Sequence, residues 1–467
     1  MNDHLRHKYF GDRQFYKTAL TVALPIMIQN GITNFVSMLD NIMVGSVGTV
    51  QMTGVSIANT LMFVFNLAIF GAVSGAGIFG AQFYGKGDHD GVRYAFRYKL
   101  LVCSVLAVLG ISAFLIFGGD LIRLYLRGQG ELENIEASLR YGQSYLRLML
   151  LGVPAFILVQ CYSGTLRETG RTVLPMVAGL TAVAVNLLGN WLLIFGRLGL
   201  PRLGADGAAI ATVLSRFVEA AIIVLWTHTH TEKSPFFVGA WRSLHVPGRL
   251  LREISVKGLP LLLNETLWAF GQALLVQCYS IRGYHVVAAV NICQTVSQVF
   301  NVAFMTMGMA IGILVGQLLG AGKIEEAKDT DRKLIVFAEL TCLLFGGALA
   351  AISGVFPRIY NTTEDIRHLA TSFILISALL MPVHCYANAA YFTLRSGGKT
   401  YITFLFDSVY ACLVVAPIAF LLSRFTALPI LPLYFCCQAM ELGKCIVGAR
   451  MIHSGVWIQN IVKDELT

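Results

Sequence analysis

Residues Val55–Gly87 read VSIANTLMFVFNLAIFGAVSGAGIFGAQFYGKG, and residues Val290–Gly322 read VNICQTVSQVFNVAFMTMGMAIGILVGQLLGAG. At this shift of 235 positions, 12 of 33 residues are identical, among them Phe65/Phe300, Asn66/Asn301, Gln82/Gln317, Gly85/Gly320 and Gly87/Gly322. Shared apolar composition gives scattered matches; it does not readily give Asn, Gln and paired Gly in one order. The same shift pairs Leu24-Pro25 with Leu259-Pro260. A shift of 228 pairs Thr165-Leu166-Arg167 with Thr393-Leu394-Arg395, and Gly170-Arg171-Thr172 with Gly398-Lys399-Thr400. The chain is an internal duplication, and each 33-residue copy ends an uncharged run long enough for a loop plus a long membrane span.

Outward from the repeat, the whole chain has the same character. Of 467 residues, 56% are hydrophobic and 13% charged, roughly half the charged fraction of a soluble domain. So few charges cannot cover a water-exposed globule, and a mean hydropathy of +0.68 with 45 glycines fits a helical membrane protein, in which Gly is tolerated within spans. The net charge of +9 comes without a basic run, so no nucleic-acid partner is expected. The ten cysteines lie in or beside apolar stretches, which supports neither a disulfide framework nor a CxxC metal site. Residues 1–17 are polar and basic, and no signal peptide is expected there.

A bilayer-crossing helix needs about 20 predominantly apolar residues. Twelve such spans are expected, at 15–43, 51–82, 93–118, 139–163, 170–196, 206–229, 251–281, 286–319, 333–357, 367–393, 399–424 and 428–453. Lys and Arg translocate poorly and set orientation. The two termini and the loops after even-numbered spans hold 23 of the 35; the loops after odd-numbered spans hold nine, and Arg147, Arg216 and Lys444 lie inside spans. Both termini are therefore expected in the cytoplasm, in a cell inner membrane. Each half has six spans and enters the membrane in the same direction. The expected fold class is all-α polytopic membrane protein, with twelve transmembrane helices in two six-helix bundles related by a pseudo-twofold axis along the membrane normal. The lobes are residues 1–229 and 251–467, with a cytoplasmic linker at 230–250; a transporter with this symmetry places its substrate path between the repeats. The Thr227-His228-Thr229-His230 stretch before the linker reads as a polar helix end rather than a metal site.

Several segments resemble the multidrug and toxic compound extrusion (MATE) transporters. Met38-Leu39-Asp40-Asn41-Ile42-Met43-Val44-Gly45 is similar to the family's acidic first-span signature. Ala81–Asp88 and Gly316–Gly322 resemble its paired Gln-x-x-Gly-x-Gly turns, and Leu166–Thr172 its fourth-to-fifth-span turn. Asn186–Asn190, running into Leu193–Gly196, resembles its fifth-span motif. The resemblance implies two six-helix bundles around a central cavity, rocking between inward- and outward-facing states, and export of cationic or amphipathic small molecules in exchange for H⁺ or Na⁺. No cofactor is expected beyond that coupling ion. Gly in the paired turns allows tight turns that bring helix ends close. With no Gly-x-x-x-x-Gly-Lys-Ser/Thr pattern, ATP is not the expected energy source.

An ionisable group inside a bilayer costs roughly 2.5–3.5 kcal/mol on insertion scales and calls for a partner or a function. Arg216/Glu219 and Glu441/Lys444, each spaced i,i+3, read as structural pairs, and Glu339, near Arg332 and Lys333, reads the same way. Asp40, Glu265 and Asp407 have no cation within one helical turn of sequence. Such a carboxyl suits a proton relay, or Na⁺ when carbonyl and amide oxygens surround it. The three acids are the expected ion-coupling groups; the resemblance adds Asn186 and Asn190 to Asp40, and marks Glu265 as a seventh-span acid of one branch of the family. That branch carries an Asp in the tenth span, where this chain has only His384 and Asn388 as notable polar groups. Asn30, Asn34, Gln272, His384 and Asn388 are the expected cavity-lining polar residues, since polar groups in spans usually face the bundle interior. Met305, Met307 and Met309 read as packing or lipid contact.

The expected function is thus a secondary active multidrug exporter, a monomer working by alternating access in the lipid bilayer. Protonation of Asp40, four turns beyond Pro25, would bias a bend at that proline. One charge moved across 100 mV is worth about 2.3 kcal/mol, enough for a roughly fifty-fold gradient. The alternative is a lipid-linked oligosaccharide flippase of related architecture, which needs a basic cavity. An enzyme is not expected, because the spans hold no nucleophile–base pair or metal cluster. A channel would not require acids that differ between the halves.

Overall fold

A computed structural model describes residues 8–45, 47–126, 132–360 and 362–462; residues 1–7 of the polar lead-in lie outside it. The described residues form helices and no strand. We number the spans α1 (Arg13–Gly45), α2 (Thr49–Lys86), α3 (His89–Leu126), α4 (Leu132–Leu151 and Val153–Glu168), α5 (Val173–Phe195), α6 (Ala205–Thr229), α7 (Gly248–Ser280), α8 (Tyr284–Gly320), α9 (Ile324–Ile352), α10 (Glu364–Ser396), α11 (Thr400–Phe425) and α12 (Ile430–Ala439 and Glu441–His453). Eleven are each long and apolar enough to cross a bilayer, and the two halves of α4 make the twelfth. Their outward surface is what lipid requires: Ile116 on α3 is 68% exposed and Leu344 on α9 is 71%, with large aliphatic neighbours on the same helices.

Three spans depart from the expected simple helices. The fourth is not one helix over 139–163: its halves meet at 47°, because Pro154, two residues after Gly152, lacks the N–H that would bond back into the first half. The ninth starts at Ile324, not near 333. Glu325 and Glu326 occupy its first turn, and the Lys328–Glu325 (2.7 Å) and Lys333–Asp329 (2.6 Å) pairs carry the helix past its apolar part. The eleventh contains π-helical turns at Leu405–Val409 and Ala411–Val415. By contrast, α1 and α7 remain helical through Pro25 and Pro260.

The chain forms two compact units. One comprises Ile28–Gly80 and His89–Leu251. Its most buried charge is Lys99, 0% exposed, whose Nζ reaches Glu168 Oε1 at 2.7 Å and Oε2 at 2.6 Å and Thr165 Oγ1 at 3.0 Å, tying α3 to α4. Gly77 and Gly80 on α2 pack on the Glu168 carboxylate where a Cβ would strike it. The segment after α6 is folded onto this unit. Phe237 is buried against Phe96 and Tyr162, with Phe236 buried beside it, and Arg97 donates to the carbonyls of Gly239 (2.9 Å), Ala240 (3.1 Å) and His245 (3.2 Å). His228 Nε2 bonds Tyr162 Oη at 2.9 Å, while His230 lies against Trp226. The two imidazoles serve different partners.

The second unit comprises residues through Met27, Ala81–Asp88 and the chain from Arg252. Val22, Ala23 and Ile26 of α1 join Ala303, Met307 and Ala310 of α8, Ala338 and Cys342 of α9, and Met381 and Cys385 of α10 in one core. Met307 is buried there and Met305 is exposed, so the three methionines do not share a surface. Here the duplicated turns meet reciprocally. A Cβ on Gly85 would collide with the Gln317 carbonyl, and one on Gly320 with the Gln82 carbonyl; only glycine lets the backbones of the α2 and α8 ends touch. The buried Gln82 side chain donates to the carbonyls of Ser396 (2.9 Å) and Gln459 (3.1 Å) and accepts from Ile461 N (2.8 Å), which straps residues 457–462 across the crossing. Thr393, the repeat mate of Thr165, donates to buried Asp331 Oδ1 at 2.6 Å.

Lys99→Met or Glu168→Gln alone should lower stability by about 3–5 kcal/mol by stranding one buried charge. The double variant should recover most of that loss in thermal unfolding of the detergent-solubilised protein. Gly320→Val should prevent accumulation of folded protein, whereas Gly347→Ala, with open space at its Cβ, should not.

Candidate functional site

In the first unit, α1 and α5 bring three expected residues together. Asn186 and Asn190 are four apart on α5 and so share a face. Asn190 Nδ2 donates to Asp40 Oδ1 at 2.7 Å. With its amide oriented to satisfy both sides, Asn186 donates to Asp40 at 3.0 and 3.1 Å and accepts from Thr212 Oγ1 on α6 at 3.1 Å. Asn190 is 1% exposed and its Oδ1 is buried with no hydrogen-bond partner among the described residues. Asp40 makes no ion pair there. Among the described residues the carboxylate is hydrogen-bonded by amides, with Tyr145 in electrostatic reach and a spare buried carbonyl oxygen and a hydroxyl beside it. Oxygen donors of this kind suit a proton or a hard monovalent cation; no group of His, Cys, Asp and Glu fit to hold a metal occurs among the described residues.

In the second unit, Asp407 is not the isolated acid the sequence suggested. It lies in the first π-helical turn of α11, and Lys444 Nζ of α12 reaches its Oδ1 at 2.9 Å. Lys444 also holds Glu441 at 3.0 Å, the pair that was expected. The buried Asn264 of α7 donates to Asp407 Oδ2 at 3.0 Å and accepts from the Ser408 hydroxyl at 2.7 Å. Glu265, the next residue, is half-buried and within electrostatic reach of Arg395 of α10 and of Asp407. Glu339 is not paired with the neighbours assigned to it: Lys333 is taken by Asp329 at 2.6 Å, and Glu339 Oε1 is buried without a partner among the described residues. Arg216 and Glu219 pair at 3.1 Å as expected.

Asn30 and Asn34 are partly buried on α1, and Gln29 beside them accepts from Arg167 Nη2 at 2.7 Å. Gln272 is partly buried on α7. His384 lies within electrostatic reach of Glu441 and Lys444. Asn388 packs its side-chain oxygen against Gly308, and that oxygen has no hydrogen-bond partner among the described residues. Thr212, Asn264 and Lys444 join the polar clusters without having been singled out for them. A hydroxyl or amide in a span was the available signal.

A family model described as MatE matches residues 25–192 and 260–421. A probable multidrug resistance protein NorM of Thermotoga maritima is 25% identical over 456 residues, covering 96% of this chain and 94% of that protein. A probable multidrug resistance protein YoeA of Bacillus subtilis is 25% identical over 423 residues, 87% of each. Among solved structures, an outward-facing multidrug resistance MATE transporter of the MOP superfamily matches with a TM-score of 0.84 at 17% identity, over 96% of this chain and 98% of that one. A MOP superfamily transporter from Pyrococcus furiosus, described as having a binding pocket of reverse polarity, matches with 0.81 at 18% identity, over 97% and 98%. At these identities the solved structures establish a common fold.

Asn264→Ala should lower stability by about 2–4 kcal/mol, because it leaves the buried polar groups of Asp407 and Ser408 short of partners. Gln272→Ala should stay within about 0.5 kcal/mol. Thermal unfolding of both variants in one detergent checks the contrast.

Proposed function

The chain belongs to the MatE family, and from that premise we propose that it is an ion-coupled exporter, which expels cationic or amphipathic small molecules by alternating access in exchange for H⁺ or Na⁺. The observation that carries this reading is the Asp40 carboxylate, bonded by Asn190 at 2.7 Å and by no cation among the described residues. In a lipid-bounded bundle an anion so placed needs a countercharge, and a site that must gain and lose one is a coupling site. The probable multidrug resistance proteins of Thermotoga maritima and Bacillus subtilis align over most of their length and support drug efflux as the activity. The buried lysines Lys99 and Lys444 are both neutralised by carboxylates, which weighs against a phosphate-bearing lipid-linked cargo. The protein works as a monomer in the cell inner membrane, its termini on the Lys- and Arg-rich cytoplasmic side.

The test is dye efflux in inverted vesicles with a proton gradient and a sodium gradient imposed separately. One of the two should stimulate accumulation, and stimulation by neither removes antiport. Asp40→Asn should abolish the stimulated flux and keep the parent's thermal stability. Stimulated transport at the parent rate by that variant overturns the role of Asp40.

A further inference from the structure

The Asp407 cluster has an imbalance that a merely structural ion pair does not need. One ammonium serves two carboxylates, Asp407 at 2.9 Å and Glu441 at 3.0 Å. A single buried acid would neutralise Lys444; with Glu265 and Arg395 also in reach, three acids face two cations, which leaves a net negative charge within the hydrocarbon, where uncompensated charge is costly. The burial is unequal as well. Lys444 has 5% of its side chain exposed, while Asp407 and Glu441 have 21% and 20%. The accessible faces therefore belong to the acids, and the ammonium lies behind them.

The backbone departs from a regular α-helix beside these groups. Asp407 is within a π-helical turn, and Met440, immediately before Glu441, is a single turn residue midway along the 24-residue span Ile430–His453. π-helical turns are frequent at functional sites. The Tyr410 hydroxyl donates at 2.9 Å to the Met440 carbonyl, which also accepts from Gly443 N. Its ring centroid lies 5.8 Å from Lys444 Nζ, a distance at which an aromatic face attracts a cation. A lysine stem has four rotatable carbons and a point charge, so its ammonium can leave the acids for that ring without a backbone change. Other groups in reach of the cluster include Asn264 and Glu265 of α7, His384, Tyr391 and Arg395 of α10, and Cys445 of α12.

We propose that Lys444 is a resident counter-cation, which holds Asp407 and Glu441 when the site is empty and is displaced from them by an incoming monovalent cation. Lys444 is then a positioning residue: it sets how tightly the second unit takes a cation and keeps the acids matched when that cation has gone. The inference rests on the exporter reading, but its test uses binding rather than transport and involves no residue of the Asp40 site. Failure of either is therefore seen separately.

The experiment is equilibrium binding of tetraphenylphosphonium and, in parallel, of radioactive Na⁺ to the purified full chain, with thermal unfolding of each variant alongside. Lys444→Gln removes the internal competitor and should bind one of the two probes at least about tenfold more tightly, within the coupling energies of close charge pairs. A gain for tetraphenylphosphonium assigns the site to cationic cargo, and a gain for Na⁺ assigns it to the coupling ion. Lys444→Arg keeps the charge and should bind no more tightly than the parent. If Lys444→Gln does not fold, Asp407→Asn combined with Lys444→Gln retains one acid and no ammonium, and should show the same gain. Parent-like affinity for both probes in a folded variant lacking Lys444 overturns the proposal and leaves the lysine a structural ion-pair partner.

Discussion

Hydrocarbon offers no solvent to a stranded charge, and the polar interior of this protein is organised around that constraint. Where α3 meets α4, Lys99 and Glu168 neutralise each other completely. Between α11 and α12, one lysine is shared between two acids. At Asp40 the hydrogen bonds among the described residues come from amides. On the proposed exchange, a neutral pair has no need of an ion, a shared lysine can yield to one, and an acid bonded by amides calls for one.

The duplication explains why the two units carry different chemistry on one frame. The glycine turns must stay equivalent because each presses on the other's backbone: Gly85 on Gln317 and Gly320 on Gln82. Elsewhere the copies are free to diverge. Thr165 and Thr393 occupy repeat-related positions, yet the third helix of the repeat offers the first a lysine and the second an aspartate. The Lys99–Glu168 pair and the Asp331–Thr393 bond are thus two solutions to one packing problem.

Much of the fold was legible in the sequence. Apolar span length and the ordered Gly, Gln and Pro repeats carry it, and both are one-dimensional properties. The Asp40–Asn186–Asn190 contact was legible through helical spacing and resemblance together. Misses occurred where rotation or depth decided the outcome. Helices apolar all round carry no stripe to fix which residue faces inward, so the bonds made by Gln29 and Asn264, next to the expected Asn30 and Glu265, were not legible. Asp331 was assigned to a loop because charges end an apolar run, whereas α9 continues through it on i,i+3 and i,i+4 ion pairs. Lys444 was paired only with Glu441 because sequence distance cannot show that α11 brings Asp407 to the same ammonium.

The central claim is that Asp40 trades an ion against a cationic cargo. It is tested most directly by following ion release when drug binds purified protein in weakly buffered, sodium-controlled detergent solution, with a pH electrode and a sodium electrode in the same cell. The account predicts that saturating cationic drug releases H⁺ or Na⁺ from the parent, and that this release disappears in Asp40→Asn. Equal release from the parent and from that variant, at equal drug occupancy, would contradict it.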